Sequence, residues 1–333
     1  MNTGHSKDIV FSSDEAAALA VEFVTERRQL VQSGDSTVIR FPDESISRFM
    51  NPFMAGDLIT AIGRPQNGKT YFNKWFENKV VQDLREFSEP NQIAIHVTTE
   101  VSIERGSLTS LARSAGVSST QAIRGELDEE GMRKLNLGLA KISGQPLYFI
   151  GHSTKRSEQG RRSRPKLDPQ TIENAIDYIM NDYVDVVTGK RLDVQLISID
   201  YLQRLHVPVN ADPFMFMSRY VDWAKDLALW AGCPVWLDVQ AKRDVDDRKV
   251  KIPTLSDGQM TSNIEQSSDF VFSHFMPKVY NLTEMPKIRN IPAQSHLTDR
   301  HHYFLNLKQK DGPAGMGWLL EFDYNTQDIK VIR

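Results

Sequence analysis

The sequence contains 333 residues, of which 40% are hydrophobic and 25% are charged, which is typical of an ordinary globular protein that can bury a real core. The length suits one large domain or two medium ones. The formal net charge of −3 excludes a global basic field, so any contact with nucleic acid has to come from a local basic stripe.

The first predicted element is a helix over about residues 15–32, after a Ser-Ser-Asp run that can cap its start. The turn at residues 34–36 ends it. Its apolar positions are only loosely helical in period, so an appendage in front of the main domain and a helix packed on its own core are both compatible with the pattern. We assign residues 1–34 to an N-terminal tail and helix, and residues 35–333 to the main domain.

Apolar runs along the rest of the chain predict strands, and longer stretches between them predict helices. The predicted strands cover residues 58–63, 92–97, 146–150, 192–202, 233–240 and 270–272. The predicted helices cover residues 71–87, about 102–140 with breaks near Gly116 and Gly125, and 213–230. A terminal hairpin follows at residues 302–307 and 317–323. Because strands alternate with helices, the sequence predicts an α/β fold with a mostly parallel central sheet flanked by helices.

Two features near the predicted fifth strand indicate burial. Aromatic and apolar side chains recur every three or four residues along the helix at 213–230, which predicts a core-facing stripe of Phe216, Tyr220, Trp223, Leu227 and Trp230. The single cysteine, Cys233, excludes an intrachain disulfide, which fits a reducing compartment. We expect it to be a small buried hydrophobic residue rather than a catalytic thiol.

A basic stretch at residues 155–166 carries six basic residues and one acidic residue. It lies inside a predicted insertion of about residues 151–168. Charge runs of this kind are usually solvated loops, so we expect a loop here. Contact with nucleic acid is the alternative interpretation of the same residues.

A phosphate-binding pattern, G-x-x-x-x-G-K-T, lies at Gly63–Thr70 between a predicted strand and a predicted helix. Its glycines let backbone N–H groups point at phosphate oxygens, Lys69 places a positive charge there, and the hydroxyl of Thr70 suits Mg²⁺. The dipole of the following helix also faces the anion. The sequence therefore predicts a nucleotide site formed by Gly63, Arg64, Pro65, Gln66, Asn67, Gly68, Lys69, Thr70 and Tyr71.

Three polar side chains follow predicted strands and complete this site. Asp200 ends the strand LISID, Glu100 follows the strand IAIHV, and Gln240 ends CPVWLDVQ. Because the carboxyl ends of parallel strands share one edge of the sheet, we expect all three beside the phosphate loop. A carboxylate there can support the metal, and another can orient or deprotonate water. A helix cap or a solvated loop position is the alternative for either acid alone.

Successive motifs along the chain resemble those of the ATPase domain of DnaB-type replicative helicases. They occur in the order GDLITAIGRPQNGKTYF, TTEVS, ISIDYLQ, VQAKR, SDGQMTSNIEQSSD and LKQKDGPAG, and the resemblance covers about residues 35–330. It implies a RecA-like P-loop NTPase that binds Mg²⁺ and ATP and assembles with copies of itself, with a hexamer expected. It also makes the helix at residues 15–32 similar to a linker helix that packs on the next subunit. We expect no counterpart of the separate N-terminal domain of bacterial DnaB.

The resemblance implies a role for each catalytic candidate. Lys69 and Thr70 would bind phosphate and Mg²⁺, with Asp200 supporting the metal. Glu100 would polarise the attacking water, and Gln240 would sense the γ-phosphate. Two basic fingers, Lys308 and Lys310, would reach the ATP site of a neighbouring subunit and stabilise charge on the transferred phosphate.

The same resemblance implies a channel-facing surface that holds single-stranded DNA by its backbone. The residues concerned are Lys242, Arg243, Arg248, Lys251, Gln259, Thr261 and Ser262. Two departures weaken the pattern: Lys310 stands where the family usually has arginine, and so does Gln259. Lysine loses the planar fork that grips phosphate, and an amide binds phosphate without releasing a counterion.

The function predicted from these motifs is an ATP-driven translocase or helicase on single-stranded DNA, acting in DNA replication, with a loader or primase as a possible further partner. The altered DNA loop and the lysine finger leave an alternative open, an ATP-controlled clamp that binds DNA or protein without unwinding. A RecA-like ATPase that acts on proteins in signalling is a third interpretation. It is disfavoured because VQAKR and the basic loop are retained.

The sequence also disfavours two classes of site. The eight histidines have no metal-ligand spacing with cysteine or acidic residues, so we predict no structural metal and expect His206, His274, His301 and His302 at the surface or in the hairpin. The polar N-terminus lacks an apolar signal core, and no apolar run approaches the roughly 18 residues of a membrane helix. We therefore expect a cytoplasmic protein without membrane contact.

Overall fold

One mixed sheet organises the part of the chain that the structure, a computed structural model, describes. The described residues are 12–33, 39–154, 166–208, 210, 212–258, 262–324 and 328–332. The strands are β1 (Leu58–Gly63), β2 (Gln92–Thr98), β3 (Leu147–Ile150), β4 (Asp193–Asp200), β5 (Val235–Gln240), β6 (Phe270–Phe275), β7 (His301–Gln309), β8 (Gly317–Asp323) and β9 (Asp328–Val331).

Two helices precede β1, and the other seven described helices lie between the first six strands. The helices are α1 (Ser13–Ser33), α2 (Glu44–Ser47), α3 (Lys69–Phe87), α4 (Ile103–Ala115), α5 (Ser119–Arg124), α6 (Glu129–Ile142), α7 (Pro169–Asp182), α8 (Pro213–Ala231) and α9 (Ser262–Ser267). Short 3₁₀ helices lie at Leu202–Arg204, Arg243–Asp247, Leu255–Asp257 and Pro277–Tyr280.

The strand order is β3-β2-β4-β5-β1-β6-β7-β8-β9. The first six strands in this order, from β3 to β6, pair in parallel. The last three strands, β7, β8 and β9, continue the sheet with antiparallel pairing. The carboxyl ends of the parallel strands therefore share one edge, called here the carboxyl edge. The amino ends of the same strands define the amino edge.

Every predicted strand and helix is present, with small shifts at the ends. The predicted breaks at Gly116 and Gly125 are helix C-caps with φ of +66° and +71°, a left-handed conformation that glycine adopts without a side-chain penalty. Leu202, predicted at the end of a strand, belongs instead to a 3₁₀ helix. The helices α2, α7 and α9 and the strand β9 were not predicted. Helix α7 begins directly after the predicted insertion, at a cap formed by Asp168.

The core lies on both faces of the sheet because the central parallel strands are covered on both sides. In β1, Leu58 and Ile62 pack towards α7 and α8, whereas Ile59 and Ala61 pack towards α3. On the α3 face, Phe41 contacts six aromatic rings, those of Phe53, Phe72, Phe76, Trp236, Phe272 and Phe304. A continuous apolar run such as LITAIG is what a strand buried on both faces requires.

The predicted burial near β5 holds with one exception. Cys233 is buried, and so are Tyr220 and Leu227 of the α8 stripe. Trp230 is 51% exposed, so its predicted core position is wrong. It lies in the last turn of α8, where no further turn of the helix covers it.

The histidine expectation was wrong for His274, which is fully buried in β6. Its Nδ1 lies 3.2 Å from Nε2 of His302, which is also buried, in the hairpin strand β7. Burial lowers the pKa of both rings, to about 3 for His302, so they stay neutral among apolar side chains. His206 and His301 are partly buried.

Helix α1 covers the predicted range of residues 15–32 and extends slightly beyond it at both ends. Its described side chains from residues 13–25 are exposed, including Leu19, Val21, Phe23 and Val24. Its predicted packing against a neighbouring copy stays a prediction. Among the described residues, none of the helices combines the length and the apolar character that crossing a membrane requires.

Candidate active site

The predicted phosphate loop connects the end of β1 to the start of α3. Gly68 has φ of +80°, and a Cβ there would lie 2.9 Å from a ring carbon of Phe322. A Cβ on Gly63 would lie 3.1 Å from the carbonyl oxygen of His274. Gly68 is therefore required by its backbone angle and by the closeness of Phe322, and a side chain at Gly63 would be tightly packed against β6.

The side chain of Lys69 lies folded against this loop. It is 9% exposed, and its Nζ donates hydrogen bonds to the carbonyl oxygens of Gly63 at 2.7 Å and Arg64 at 3.2 Å. Burial lowers the pKa of Lys69, and nearby carboxylates, including Asp200 and Glu100, act in the opposite direction. An anion in the loop could take the place of these two carbonyl acceptors.

The acids predicted beside the loop are brought to it by the pairing of β2 with β4. Thr98 is level with Asp200, so the strands end together at the carboxyl edge. The hydroxyl of Thr70 donates to Oδ1 of Asp200 at 3.3 Å. The backbone N–H of Thr99 donates to the carbonyl oxygen of Asp200 at 2.9 Å, and the next residue, Glu100, is exposed beside it. Lys69, Thr70, Asp200 and Glu100 are thus gathered at one edge.

Gln240 reaches the same edge because it is level with Gly63 in the parallel pairing of β5 with β1. Its backbone N–H donates to Oε1 of Gln203 at 3.1 Å. Burial raises the pKa of Tyr201, and the charge of Glu100 adds to this effect. Sequence reasoning missed Tyr201, although it directly follows Asp200.

Arg64 turns its side chain away from the predicted nucleotide loop, whereas the ring of Tyr71 lines the cavity beside the loop. The guanidinium of Arg64 contacts Oδ2 of Asp246 at 2.9 Å through both Nε and Nη2, and its Nη1 donates to the carbonyl oxygen of Ala241 at 3.1 Å. The ring of Tyr71 stacks on Phe322 with centroids 4.5 Å apart. Beside the loop lies an open cavity of about 280 Å³, lined by Gln66, Asn67, Gly68, Lys69, Thr70, Tyr71, Met276, Phe322 and Tyr324.

A buried acid behind the loop was also missed. Asp238, in β5, is fully buried and accepts hydrogen bonds from Trp236 Nε1 at 3.0 Å and Asn73 Nδ2 at 3.1 Å. Burial, and secondly the charge of Asp200, raise the pKa of Asp238 to about 7, while Lys69 opposes the shift. An acidic residue in the middle of the apolar run VWLDVQ was the signal that could have revealed it.

The predicted fingers lie at the amino edge. Lys310 Nζ is 3.2 Å from Oδ1 of Asp269, which directly precedes β6, and Lys225 Nζ is 2.6 Å from Oδ2 of the same carboxylate. Lys308 Nζ donates to the carbonyl oxygens of Glu265 at 2.7 Å and Ser268 at 2.6 Å. A six-residue strand such as β1 is roughly 20 Å long, which separates this cluster from the phosphate loop of the same chain.

The segment 242–258, predicted to face DNA, is largely tied to itself. Arg248 makes two hydrogen bonds to Asp257, at 2.5 and 2.6 Å, and Lys242 Nζ donates to the carbonyl oxygen of Ser256 at 3.1 Å. Lys251 Nζ donates to the carbonyl oxygen of Asp246.

Two cationic side chains of this segment are free to contact a ligand, as far as the described residues show. Arg243 and Lys249 are exposed and make no polar contact with the residues that the structure describes. Lys249 was not among the predicted DNA-binding residues. Gln259 and Thr261 lie outside the described residues, and Ser262 is the first residue of α9.

The chain matches the family model described as the DnaB-like helicase C terminal domain over residues 43–193 and 188–329. It is 26% identical over 273 residues to a probable replicative DNA helicase of Trieres chinensis, covering 82% of this chain and 52% of that protein. It is 23% identical over 299 residues to the replicative DNA helicase DnaB of Helicobacter pylori strain 26695, covering 89% and 55%. The chain thus spans about half the length of these relatives.

Two solved structures share the architecture. One is an isolated ATPase domain, which superposes with a TM-score of 0.69 at 18% identity, covering 97% of this chain and all of that one. The other is a DnaB-like replicative helicase, described with its interactions with primase, which superposes with a TM-score of 0.69 at 19% identity, covering 95% and 66%. These similarities confirm the predicted RecA-like α/β fold.

Proposed function

Because this chain belongs to the family of DnaB-like helicase C-terminal domains, as its motifs predicted, we propose that it hydrolyses ATP to move along single-stranded DNA and unwind duplex DNA during replication. The relatives that it resembles carry the name replicative DNA helicase. Family membership favours an enzyme of the helicase ATPase type.

One observation carries this proposal: the candidate catalytic groups are divided between the two edges of the sheet. Lys69, Asp200 and Glu100 lie at the carboxyl edge, whereas Lys308 and Lys310 lie at the amino edge. One copy alone therefore lacks basic fingers at its phosphate loop. A homo-oligomer in which the amino edge of one copy faces the carboxyl edge of the next would complete the site, as in a closed ring of identical interfaces.

The residues at the carboxyl edge suit Mg²⁺·ATP. A hydroxyl and a carboxylate, Thr70 Oγ1 and Asp200 Oδ1, lie 3.3 Å apart, and hard oxygen ligands of this kind are those that Mg²⁺ prefers. Bound Mg²⁺ would neutralise charge on the phosphates. Lys69 would exchange its two loop carbonyls for phosphate oxygens.

The remaining groups would act on the attacking water and on the transferred phosphate. Glu100 is exposed at the edge, where its carboxylate could accept a proton from water. Gln240, level with Gly63, could hydrogen-bond the γ-phosphate and report its loss. Lys308 and Lys310 of a neighbouring copy would stabilise the charge that develops during transfer.

For DNA, we propose that Arg243 and Lys249 supply phosphate contacts, because both are exposed and without a described polar partner. Arg248 and Lys251 would instead shape the segment 242–258 that carries them, through Asp257 and Asp246. Gln259, Thr261 and Ser262 stay predicted contacts. Primase is proposed as a partner from the described interaction of one structural relative, and a cytoplasmic location from the replicative role.

The clamp is a second candidate, favoured by one observation. Both Lys310 and Arg248 are held by acidic side chains in this structure, which weakens the expected finger and the expected DNA contact. A clamp would show ATP hydrolysis stimulated by single-stranded DNA without separating duplex strands.

Three measurements on the purified chain test the proposal. The first is oligomeric mass with and without ATP and an oligonucleotide, for which we expect a hexamer when both are present. The second is ATP hydrolysis, which should rise with single-stranded DNA. The third is displacement of a labelled strand from a forked duplex. A monomer under all conditions, or hydrolysis indifferent to DNA, would contradict the ring motor, and stimulated hydrolysis without displacement would favour the clamp.

A further inference from the structure

The side chain of Arg64 joins the phosphate loop to the 3₁₀ helix Arg243–Asp247. Its Nε and Nη2 both lie 2.9 Å from Oδ2 of Asp246, which is 182 residues away in the chain. Its Nη1 donates to the carbonyl oxygen of Ala241 at 3.1 Å. The backbone N–H of Ala241 in turn donates to the carbonyl oxygen of Gly63 at 3.1 Å. Three hydrogen-bonded contacts thus hold these segments together.

The backbone of Arg64 is tied to the phosphate-binding lysine as well. Lys69 Nζ donates to the carbonyl oxygen of Arg64 at 3.2 Å. When Lys69 turns to a phosphate, this bond is lost, and the Arg64 carbonyl keeps only its hydrogen bond from the backbone N–H of Asn67 at 3.2 Å. A change at the nucleotide thereby acts directly on the residue whose side chain holds Asp246.

On the other side, Asp246 is bonded into the candidate DNA segment. Its Oδ1 accepts a hydrogen bond from the hydroxyl of Tyr280 at 2.8 Å, and its backbone carbonyl accepts one from Lys251 Nζ. The Lys251 ammonium also lies 5.7 Å from the centroid of the Tyr280 ring. Asp246 sits three residues from Arg243 and three from Lys249, the two exposed cations proposed to contact DNA.

We propose that Asp246 is a positioning residue that ties the phosphate loop to the segment 242–258, so that the nucleotide state sets how this segment holds DNA. The tie runs from Lys69 through Arg64 to Asp246 and on to Arg243 and Lys249. The inference rests on the proposed function, because it requires both ATP hydrolysis and DNA binding by this chain. It adds a contact route independent of Gln240.

The test compares Asp246→Asn with Asp247→Asn. Both substitutions remove one carboxylate charge from the same 3₁₀ helix, but Asp247 is exposed and makes no polar contact with a described residue. The readouts are the ratio of ATP hydrolysis with and without a single-stranded oligonucleotide, and the affinity for that oligonucleotide with a non-hydrolysable ATP analogue and with ADP.

We expect Asp246→Asn to reduce the stimulation of ATP hydrolysis by DNA roughly fivefold or more. It should also reduce the difference in DNA affinity between the two nucleotide states, because the contact between the phosphate loop and the segment 242–258 is lost. Hydrolysis without DNA should stay near the wild-type rate. Asp247→Asn should retain the wild-type stimulation. Thermal unfolding of both variants checks that the fold is kept.

A second variant keeps the proposal testable if Asp246→Asn fails to fold. Arg64→Lys keeps the charge but loses the planar guanidinium group that contacts Asp246 and Ala241 together. It should therefore also lower the ratio of ATP hydrolysis with DNA to ATP hydrolysis without DNA. In a double-mutant cycle, Arg64→Lys with Asp246→Asn should reduce the ratio no further than the larger single effect.

Three outcomes would overturn the inference. The first is an unchanged ratio in both single variants, and the second is additive effects in the cycle. The third is an equal loss of DNA affinity with both nucleotides, because Asp246 would then only shape the DNA segment. If the wild-type chain itself shows no DNA binding and no stimulation, the proposed function has failed before the variants are compared, and the inference falls with it.

Discussion

The carboxyl edge of the sheet gathers acidic side chains around Lys69, whereas at the amino edge two lysines pair with the same acidic side chain, that of Asp269. At the carboxyl edge, Lys69 is bonded only to loop carbonyls among its described polar contacts, with Asp200 and Glu100 nearby. At the amino edge, Lys225 and Lys310 share Asp269, which is 6% exposed. The first arrangement leaves a site for an anion and a divalent cation, and the second satisfies its own charges.

This difference shows why the two edges are suited to act together. A buried acidic group with two lysine partners keeps its charge compensated when one lysine leaves for another anion. Lys310 is the more exposed of the two, with 54% of its side chain accessible against 23% for Lys225. Lys310 is therefore the better placed to move to a phosphate, while Lys225 remains with Asp269.

The largest expected effect is at the carboxyl edge. Lys69→Ala removes the buried ammonium from the phosphate loop, so ATP hydrolysis should fall by at least about a hundredfold. Lys79→Ala is a matched control, because Lys79 lies on the same helix α3 but pairs at the surface with Asp83 at 3.2 Å. Steady-state hydrolysis measures both. Substantial ATP hydrolysis by pure Lys69→Ala protein would contradict the catalytic role proposed for the carboxyl edge.

Mixing a variant of the amino edge with a variant of the carboxyl edge tests whether the two edges of neighbouring subunits form one site. Lys310→Ala should lower hydrolysis in the oligomer, and a mixture with Lys69→Ala protein should recover part of it. In a random equal mixture, about a quarter of the interfaces would pair an intact phosphate loop with an intact finger. Hydrolysis of the mixture is compared with each variant alone. No recovery, despite exchange of subunits, would argue against completion of the site by a neighbour.

A pH effect on stability is expected from Asp238. Its pKa is raised from 3.8 to about 7, so its contribution to stability is full below about pH 4 and is lost as the pH rises towards 7. Asp238→Asn removes the buried charge, and its amide can pair with Asn73 Oδ1, which has no described partner. The variant should be more stable than wild type by about 2–4 kcal/mol at pH 8.

Urea unfolding at pH 5 and pH 8 measures this effect. The advantage of Asp238→Asn should shrink towards pH 5, where the wild-type carboxyl is protonated. Equal destabilisation at both values would instead show that the substitution only breaks the hydrogen bonds to Trp236 and Asn73.

A smaller effect distinguishes the two lysines of the amino edge. Lys225→Met removes the shorter and more buried contact to Asp269, together with a hydrogen bond to the carbonyl oxygen of Gly56 at 2.7 Å, so we expect a loss of about 1–2 kcal/mol in the free energy of unfolding. Lys310→Met should cost less than about 0.5 kcal/mol, since its ammonium is largely in water. Denaturant unfolding compares the two variants. Similar losses of unfolding free energy would contradict the inference that Lys225 stays with Asp269 while Lys310 is free to move.

The smallest effect concerns a buried pair beside the carboxyl edge. Glu77 Oε2 lies 2.7 Å from His96 Nδ1; burial lowers the pKa of His96, but Glu77 outweighs it and the net shift is upward. The pair therefore contributes fully below about pH 6.5, and this contribution is lost as the pH rises through the raised pKa. Relative to wild type, Glu77→Gln should be less stable at pH 6 than at pH 8. A pH-independent difference in urea midpoint would contradict the ionic pairing.

Some of the site could be predicted because its members are neighbours in sequence or end neighbouring strands. The phosphate loop needs two glycines, a lysine and a threonine within eight residues, and Asp200 and Glu100 follow strands whose type was evident from their apolar runs. Tyr201 and Asp238 were within reach of the same reasoning. The partner of Arg64 was not, since Asp246 lies 182 residues away and nothing local to either residue indicates the other.

By itself the sequence determined the positions of eight of the nine described strands and of the longer helices other than α7, the helix ends at Gly116 and Gly125, and the position of the phosphate loop. These depend on backbone angles, capping and the periodicity of adjacent residues, which are properties of short segments. Only the tertiary structure decided which edge carries Lys308 and Lys310, that His274 is buried and Trp230 exposed, and that Arg64 binds Asp246 rather than pointing into the loop. Those outcomes depend on which distant strands pair and in what register, and this is set by the packing of the whole core.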